Sequence, residues 1–365
     1  MVFEMPASNK ADKLKPTESG VIVNPVEASE KAGLQYVSDD RPGYRRKANA
    51  DHFEYFDADG RPIRDKQRLL RIKRLAIPPA WTDVWICPSR TGHIQATGRD
   101  ARRRKQYRYH DRWRELRDEN KFGRLADFAK ALPVIRRRVT EDIKLSGLQR
   151  QKVLATIVRL LDRTFIRIGN KEYARENKSF GLTTMKDRHV AVSGSQLLFR
   201  FRGKSGRRHE IGLNDQRIAK IVSKLQDLPG QSLFQYNNGD GGTREITSQD
   251  VNDYLREIAG ENFTAKDFRT WAGTVLVAVA LNAQETFENK KQAKANIKAA
   301  ICAAAQLLGN TPTICRKCYV HPAVLEAYLS GTQIPGIGYA IKGANNLRLR
   351  SAEVAVLRFL HYRKS

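Results

Sequence analysis

The sequence predicts an α+β chain, with a small β-rich N-terminal domain and a larger, mainly α-helical domain that carries a short β insert. Two observations drive the division. From about Leu34 to Tyr109 the apolar residues fall in short runs broken by turn signals, and from about Trp113 they recur at three- and four-residue intervals. A third observation concerns partners. Across 365 residues, 66 Lys and Arg face 39 Asp and Glu, a formal net charge of +27. Such a surface points to a polyanion, either nucleic acid or an anionic membrane.

The expected order along the chain is a disordered lead at 1–33, a β-rich domain at 34–112, a mainly helical domain at 113–330, and a linker with a C-terminal helix at 331–365. Met1 to Lys31 mixes charges with Pro and Ser and lacks the apolar core of a signal peptide, so an intracellular protein is expected. In the β-rich part, Phe53-Glu54-Tyr55-Phe56 and Arg61-Pro62-Ile63 flank the turn Asp57-Ala58-Asp59-Gly60. Trp85-Ile86-Cys87-Pro88 and His93 to Gly98 follow, with a short helix expected at about Lys66 to Leu75.

In the second part Leu145, Leu148, Val153, Leu154, Ile157, Leu160 and Leu161 trace the core face of a helix. The β insert is His189-Val190-Ala191-Val192, a Ser193-Gly194-Ser195 turn, and Leu197 to Arg202. Helices return at about Gln216 to Leu225 and at Ser248 to Ala259, the latter capped by Thr247 or Ser248. Two apolar helices are expected over Trp271 to Gln284 and Lys290 to Leu308, and a last one over Ala352 to Tyr362, after the Gly- and Pro-broken link Ser330 to Gly343. No uninterrupted apolar stretch approaches the ~20 residues that span a bilayer, which weakens the membrane reading. Four cysteines are too few for a disulfide scaffold. Cys315 and Cys318 form a C-x-x-C with no second pair, so they read as packing side chains and no metal is expected.

The chemistry-bearing candidate is Tyr319, at the end of the run from Gly309 to Tyr319. A phenol is a poor nucleophile at neutral pH because its pKa is ~10, so it needs cations that stabilise charge on the group it attacks. Arg167 sits in Thr164-Phe165-Ile166-Arg167-Ile168-Gly169, where burial demands a partner; an ion pair with Glu172 or Glu176 is the alternative reading. Lys204 lies on a tight Gly203-Lys204-Ser205-Gly206 hairpin that permits close backbone approach to a phosphate, although a solvated turn lysine has the same signature. The pattern is not a P-loop. Arg269, in Lys266-Asp267-Phe268-Arg269-Thr270-Trp271, precedes an apolar helix whose positive end would favour an anion, unless Asp267 caps the helix and pairs with Arg269. Between Arg99 and Arg117 nine basic residues face three acidic ones, with Tyr107, Tyr109 and Trp113 interleaved. Arg99, Arg102, Arg103, Arg104, Lys105, Tyr107, Arg108 and Tyr109, with Lys266, are therefore candidate nucleic-acid contacts.

In this order the segments resemble the poxvirus-like type IB DNA topoisomerases, particularly their bacterial members. The resemblance runs from roughly Leu34 to Leu329. It rests on Phe165-Ile166-Arg167-Ile168-Gly169 with Glu176 to Thr184, on Gly203-Lys204, on Lys266 to Thr270, on Asn310-Thr311-Pro312 with Tyr319, and on Gly92 to Asp100 with Tyr107 to His110. It implies the fold shared by tyrosine recombinases and type IB topoisomerases, with two domains clamping a duplex. It also implies that Tyr319 attacks a DNA phosphate to give a 3′-phosphotyrosyl link and expel the 5′ hydroxyl. Arg167, Arg269 and Asn310 would hold the non-bridging oxygens, and Lys204 would protonate the departing oxygen. Many family members carry histidine where Asn310 stands, so Asn310 is assigned oxyanion binding alone.

Relaxation of both signs of supercoil without ATP or a required metal follows from the resemblance, as does a bacterial setting. No cofactor is expected. The expected partner is double-stranded DNA, not a membrane, met by a monomer in the cytoplasm at the nucleoid. Two alternatives stay open: a tyrosine recombinase, which usually carries His-x-x-Arg where this chain has Lys266-Asp267-Phe268-Arg269, and a non-enzymatic basic DNA-binding protein.

Overall fold

The computed structural model describes residues 24–49, 52–101, 103–284, 287–337 and 347–362. The chain divides into two compact units with the boundary after Arg124. Arg102, expected among the DNA contacts, lies outside the described residues.

The first unit holds α1 (Pro25–Lys31), β1 (Tyr44–Asn49), β2 (His52–Phe56), α2 (Lys66–Arg74), β3 (Thr82–Ile86), β4 (Ile94–Arg99), β5 (Lys105–Tyr109) and α3 (Asp111–Gly123). The strands make one antiparallel sheet of order β2-β1-β3-β4-β5. One face of it buries Tyr44, Val84, Ile86 and Ala96 against Ile72 of α2. Alternation along β5 sends Tyr107 and Tyr109 to one face and Arg108 to the other.

Helix α1 corrects the expectation of disorder up to residue 33. Asn24 caps it by accepting from the Val26 N–H at 2.9 Å, Pro25 fills the first turn, and Ala28 packs with Leu34 and Trp113. The charged composition of this stretch hid an Asn-Pro start signal. The residues before it lie outside those described.

The second unit begins with α4 (Leu125–Asp142), α5 (Arg150–Thr164) and α6 (Lys171–Asn177). The expected β insert follows as β6 (Val190–Ser193), β7 (Gln196–Arg202) and β8 (Arg208–Asn214), an antiparallel sheet in sequence order. Then come α7 (Gln216–Gln226), the short hairpin β9 (Gln235–Asn237) and β10 (Thr243–Glu245), α8 (Ser248–Ala259), α9 (Ala265–Asn282), α10 (Lys290–Leu307), α11 (Pro312–Tyr319), α12 (Pro322–Leu329) and α13 (Leu347–Tyr362).

Helix α9 is the axis of this unit. It is buried on nearly every side and touches α4, α5, α8, α10, α11, α12 and α13. It starts at Ala265, six residues before the expected Trp271, because Thr264 and Asp267 close a capping box. Asp267 accepts from the Thr264 N–H at 2.8 Å and its hydroxyl at 3.0 Å, so it is spent on the cap. Arg269 therefore lies inside the helix, in its buried second turn.

The last helix is tied to this axis by charge. Arg136 of α4 donates to Asp162 of α5 at 2.9 and 2.8 Å and to Glu353 of α13 at 2.7 and 2.9 Å. Glu353 also accepts from the Trp271 indole of α9 at 3.1 Å. Removing one member of a buried ion network leaves its partners uncompensated, although Asp162 would still face Arg136. Glu353→Ala is therefore expected to lower the unfolding free energy by about 3 kcal/mol, the low end for such a loss. Urea denaturation measures this, and an unchanged midpoint would show that α13 is held by apolar contacts alone.

Candidate active site

Arg167 is placed by a turn that the sequence pattern does not announce. Helix α5 ends with Phe165 in the left-handed region (φ 56°), which swings the chain so that Arg167 leaves the helix axis. The segment is then clamped from outside. Leu182 N–H donates to Arg167 O at 2.9 Å and Thr183 N–H to Ile168 O at 2.7 Å. A Cβ on Gly181 would fall 2.5 Å from Arg167 O, so only glycine allows the two strands of chain to meet.

The Arg167 guanidinium donates to Asn310 Oδ1 and, at 3.4 Å, to Gly309 O. Arg269 is 4% exposed; it donates to Phe165 O and, at 2.6 Å, to Leu308 O. Its guanidinium lies 5.2 Å from the centre of the Tyr319 ring, and the phenol favours the charged form of both arginines. Tyr319 is the last residue of α11, which starts on a Thr311 cap with Pro312 in its first turn. The helix end rests directly on α9: a Cβ on Gly273 would fall 2.5 Å from Tyr319 O. The Thr274 hydroxyl accepts from His321 N–H at 3.1 Å and lies 3.3 Å from Tyr319 O. Arg167, Arg269, Asn310 and Tyr319 are thus brought into one site.

Its electrostatics are one-sided. Among the described residues neither Arg167 nor Arg269 makes an ion pair, so Glu172, Glu176 and Asp267 are not their partners. A third cation, Arg207, donates to Asn310 O at 2.8 Å. Burial and then the Arg167 charge pull Arg269 down to about 10, which still leaves it protonated at neutral pH. Burial also lowers Arg167, against the Tyr319 phenol, which favours its charge. Two buried donors, Arg269 Nε and Asn310 Nδ2, have no hydrogen-bond partner among the described residues. Buried donors without acceptors and cations without anions together describe a place built for anionic oxygens beside a phenol.

Lys204 is placed differently. It stands exposed at the tip of the β7–β8 hairpin, where Gly203 N–H donates to Arg207 O at 2.7 Å and Ser205 and Gly206 take positive φ. The hairpin roots beside Asn310 through Arg207, while the ammonium itself faces outward. Cys315 is fully buried on α11, and burial pushes its thiol up to about 11, the behaviour of a packing residue. Among the described residues no three His, Cys, Asp or Glu side chains gather as metal ligands.

Residues 110–343 match the family model of the eukaryotic DNA topoisomerase I catalytic core, and residues 52–100 match that of the bacterial DNA topoisomerase IB N-terminal domain. The chain belongs to the type IB DNA topoisomerases. Three of its relatives are viral. DNA topoisomerase 1B of Acanthamoeba polyphaga mimivirus is 32% identical over 293 residues, covering 78% of this chain and 87% of the relative. DNA topoisomerase 1B of Vaccinia virus (strain Copenhagen) is 26% identical over 266 residues, 70% of this chain and 80% of the relative. DNA topoisomerase 1 of Rabbit fibroma virus (strain Kasza) is 23% identical over 265 residues, with the same coverage of 70% and 80%.

In this type IB topoisomerase the remaining candidate DNA contacts fall into two groups. Tyr107 is 44% exposed and stacks on Tyr109 with ring centres 5.8 Å apart; Lys105 Nζ lies over Tyr107 and the Arg117 guanidinium over Tyr109. Arg103 is exposed, and Lys266 is exposed on the first turn of α9; Arg99 is exposed as well but lies 3.6 Å from Asp83 and donates to Arg103 O at 3.0 Å. The other cations are engaged within the unit. Arg104 pairs with Asp100 at 2.6 Å, Lys105 with Asp39 at 2.7 Å, and Arg108 donates to Leu75 O at 2.7 Å. No helix among the described residues is long and apolar enough to cross a membrane.

Sequence reasoning missed Arg207 and Gly273 as parts of the site, and it left open whether His110, His189 or His209 assists the acid chemistry. Gly273 carried a usable signal, since a glycine inside an apolar helix costs stability unless something packs against it. Arg207 carried none beyond its nearness to Lys204. Of the other histidines, His110 caps α3 and His189 accepts from Lys186 N–H at 3.1 Å, both as structural acceptors.

Proposed function

We propose that the chain relaxes supercoiled DNA by cutting and resealing one strand through Tyr319. The phenolic oxygen bonds to phosphorus, its proton passes to solvent, and the phosphorus–5′ oxygen bond breaks. Lys204 delivers a proton to that 5′ oxygen, a transfer typically worth ~10² to 10⁴ in rate. Arg167, Arg269 and Asn310 donate to the non-bridging oxygens as charge redistributes on them. Resealing is the reverse attack, so the energy of the broken bond is kept in the phosphotyrosine and no nucleotide is consumed.

The observation that carries this reading is a pair of guanidiniums beside Tyr319 that, among the described residues, have no acid to neutralise them, next to two buried donors without a partner. An exchange of strands between two sites, as in a recombinase, would use the same groups, but the family match favours relaxation. Along the duplex, Tyr107 and Tyr109 supply ring contacts, and Arg103 and Lys266 supply backbone charge; the engaged Arg99, Arg104, Lys105 and Arg108 would have to leave their partners to join them. A monomer acting at the nucleoid is the economical arrangement, since all five proposed catalytic residues come from one chain.

The test is a plasmid assay in EDTA without ATP. Relaxation of both positively and negatively supercoiled DNA is expected. Strict dependence on Mg²⁺ or ATP would overturn the proposal.

A further inference from the structure

His209 sits where the Lys204 hairpin meets the Asn310 segment, and both neighbours are glycines. Its imidazole stacks on Phe201 of β7 with ring centres 5.0 Å and planes 14° apart. On one side it lies against Gly203, where a Cβ would fall 2.6 Å from both Cδ2 and Nε2 of the ring. On the other it lies against Gly309, where a Cβ would fall 2.2 Å from Cε1. Gly203 immediately precedes Lys204, and Gly309 immediately precedes Asn310. Neither glycine can be given a side chain without displacing the ring, so the ring acts as a wedge of fixed thickness between two pieces of backbone.

A second contact follows the same route. Arg207, two residues earlier, donates to Asn310 O at 2.8 Å. The ring is also kept uncharged: burial first, then the Arg167, Arg269 and Arg207 guanidiniums, lower its pKa below the ordinary histidine value. An uncharged wedge adds no further positive charge to a site that already holds three arginines.

We infer that His209 is a positioning residue, whose ring spaces the Lys204 hairpin from Asn310 and so sets the approach of the Lys204 ammonium to the departing 5′ oxygen. The inference rests on the assignment of Lys204 as the acid. Lys204 is exposed on a flexible stem at a hairpin tip, so its reach depends on where that hairpin is rooted. A displacement of about 1 Å in a positioning contact can cost on the order of 10²-fold in rate.

The experiment is single-turnover cleavage of a duplex oligonucleotide carrying a cleavage site mapped on plasmid DNA. It is prepared with either oxygen or sulfur as the bridging 5′ atom. A thiolate, unlike an alkoxide, departs without a proton because the thiol pKa is only ~8.5. Lys204→Ala is expected to be slow on oxygen and close to wild type on sulfur. His209→Ala should lose on the order of 10²-fold on oxygen and recover on sulfur in the same way. His209→Gln, a flat uncharged side chain of similar reach, should regain most of the loss on oxygen. If His209→Ala is equally slow on both substrates, or is unaffected on oxygen, the positioning role is overturned while Lys204 keeps its own. If Lys204→Ala shows no recovery on sulfur, the acid assignment itself fails and the inference with it.

Discussion

Tyr319→Phe is expected to abolish the covalent protein–DNA adduct and to slow relaxation by at least about 10⁴-fold, because it removes the only atom that bonds to phosphorus in the proposed reaction. The substitution is gentle elsewhere. The ring remains beneath the Arg269 guanidinium, and the contact with α9 runs through Tyr319 O and Cβ, which are unchanged. DNA affinity should therefore stay within about twofold, since binding rests largely on phosphate contacts made elsewhere on the basic surface. Cys315 is a poor substitute nucleophile, being buried with its thiol pushed up to about 11. Denaturing gels of the protein mixed with nicked DNA read the adduct directly. An adduct at wild-type level in Tyr319→Phe would remove Tyr319 from the mechanism.

What the sequence made legible follows from which forces act locally. The apolar spacing of α5 and the run of β7 are local signals: β7 stands where it was expected, and Val153 to Leu161 lie in α5 as expected, whereas Leu145 and Leu148 fall in the turn before its start at Arg150. The hairpin β9–β10 was missed because each strand is three residues long and is separated by the glycine-rich turn Asn238 to Gly242. Helix α11 was not foreseen either, although Thr311-Pro312 is a start signal of the same kind as Asn24-Pro25. At the site, the residue types were readable and the way they meet was not. Arg167 reaches Asn310 only because Phe165 turns left-handed and Gly181 admits a second segment, and neither feature has a periodicity to betray it.

Arg269→Lys is the second large effect, expected on the order of 10³-fold in cleavage rate with DNA binding little changed. The reason lies in what one guanidinium does at once. Its two terminal nitrogens donate to Phe165 O, two residues before Arg167, and to Leu308 O, two residues before Asn310. Its Nε has no partner, and its plane covers the Tyr319 ring. Arg269 thus holds both segments that carry its fellow donors while keeping a donor in reserve for phosphate. A lysine offers one nitrogen, which cannot span both carbonyls and still address the phosphate. Charge works in the same direction. The burial and the Arg167 field that bring Arg269 down to about 10 would act on an ammonium whose ordinary pKa is already lower, ~10.4. The lysine variant should therefore lose residual cleavage as pH rises through the neutral range, a trend wild type does not share because its guanidinium stays protonated there. Single-turnover cleavage measured from pH 6 to 9 separates the two contributions. A lysine variant within tenfold of wild type and flat in pH would mean that cleavage needs neither the bridge between the two carbonyls nor a phosphate contact from Arg269, leaving Arg167 and Asn310 to carry the phosphate.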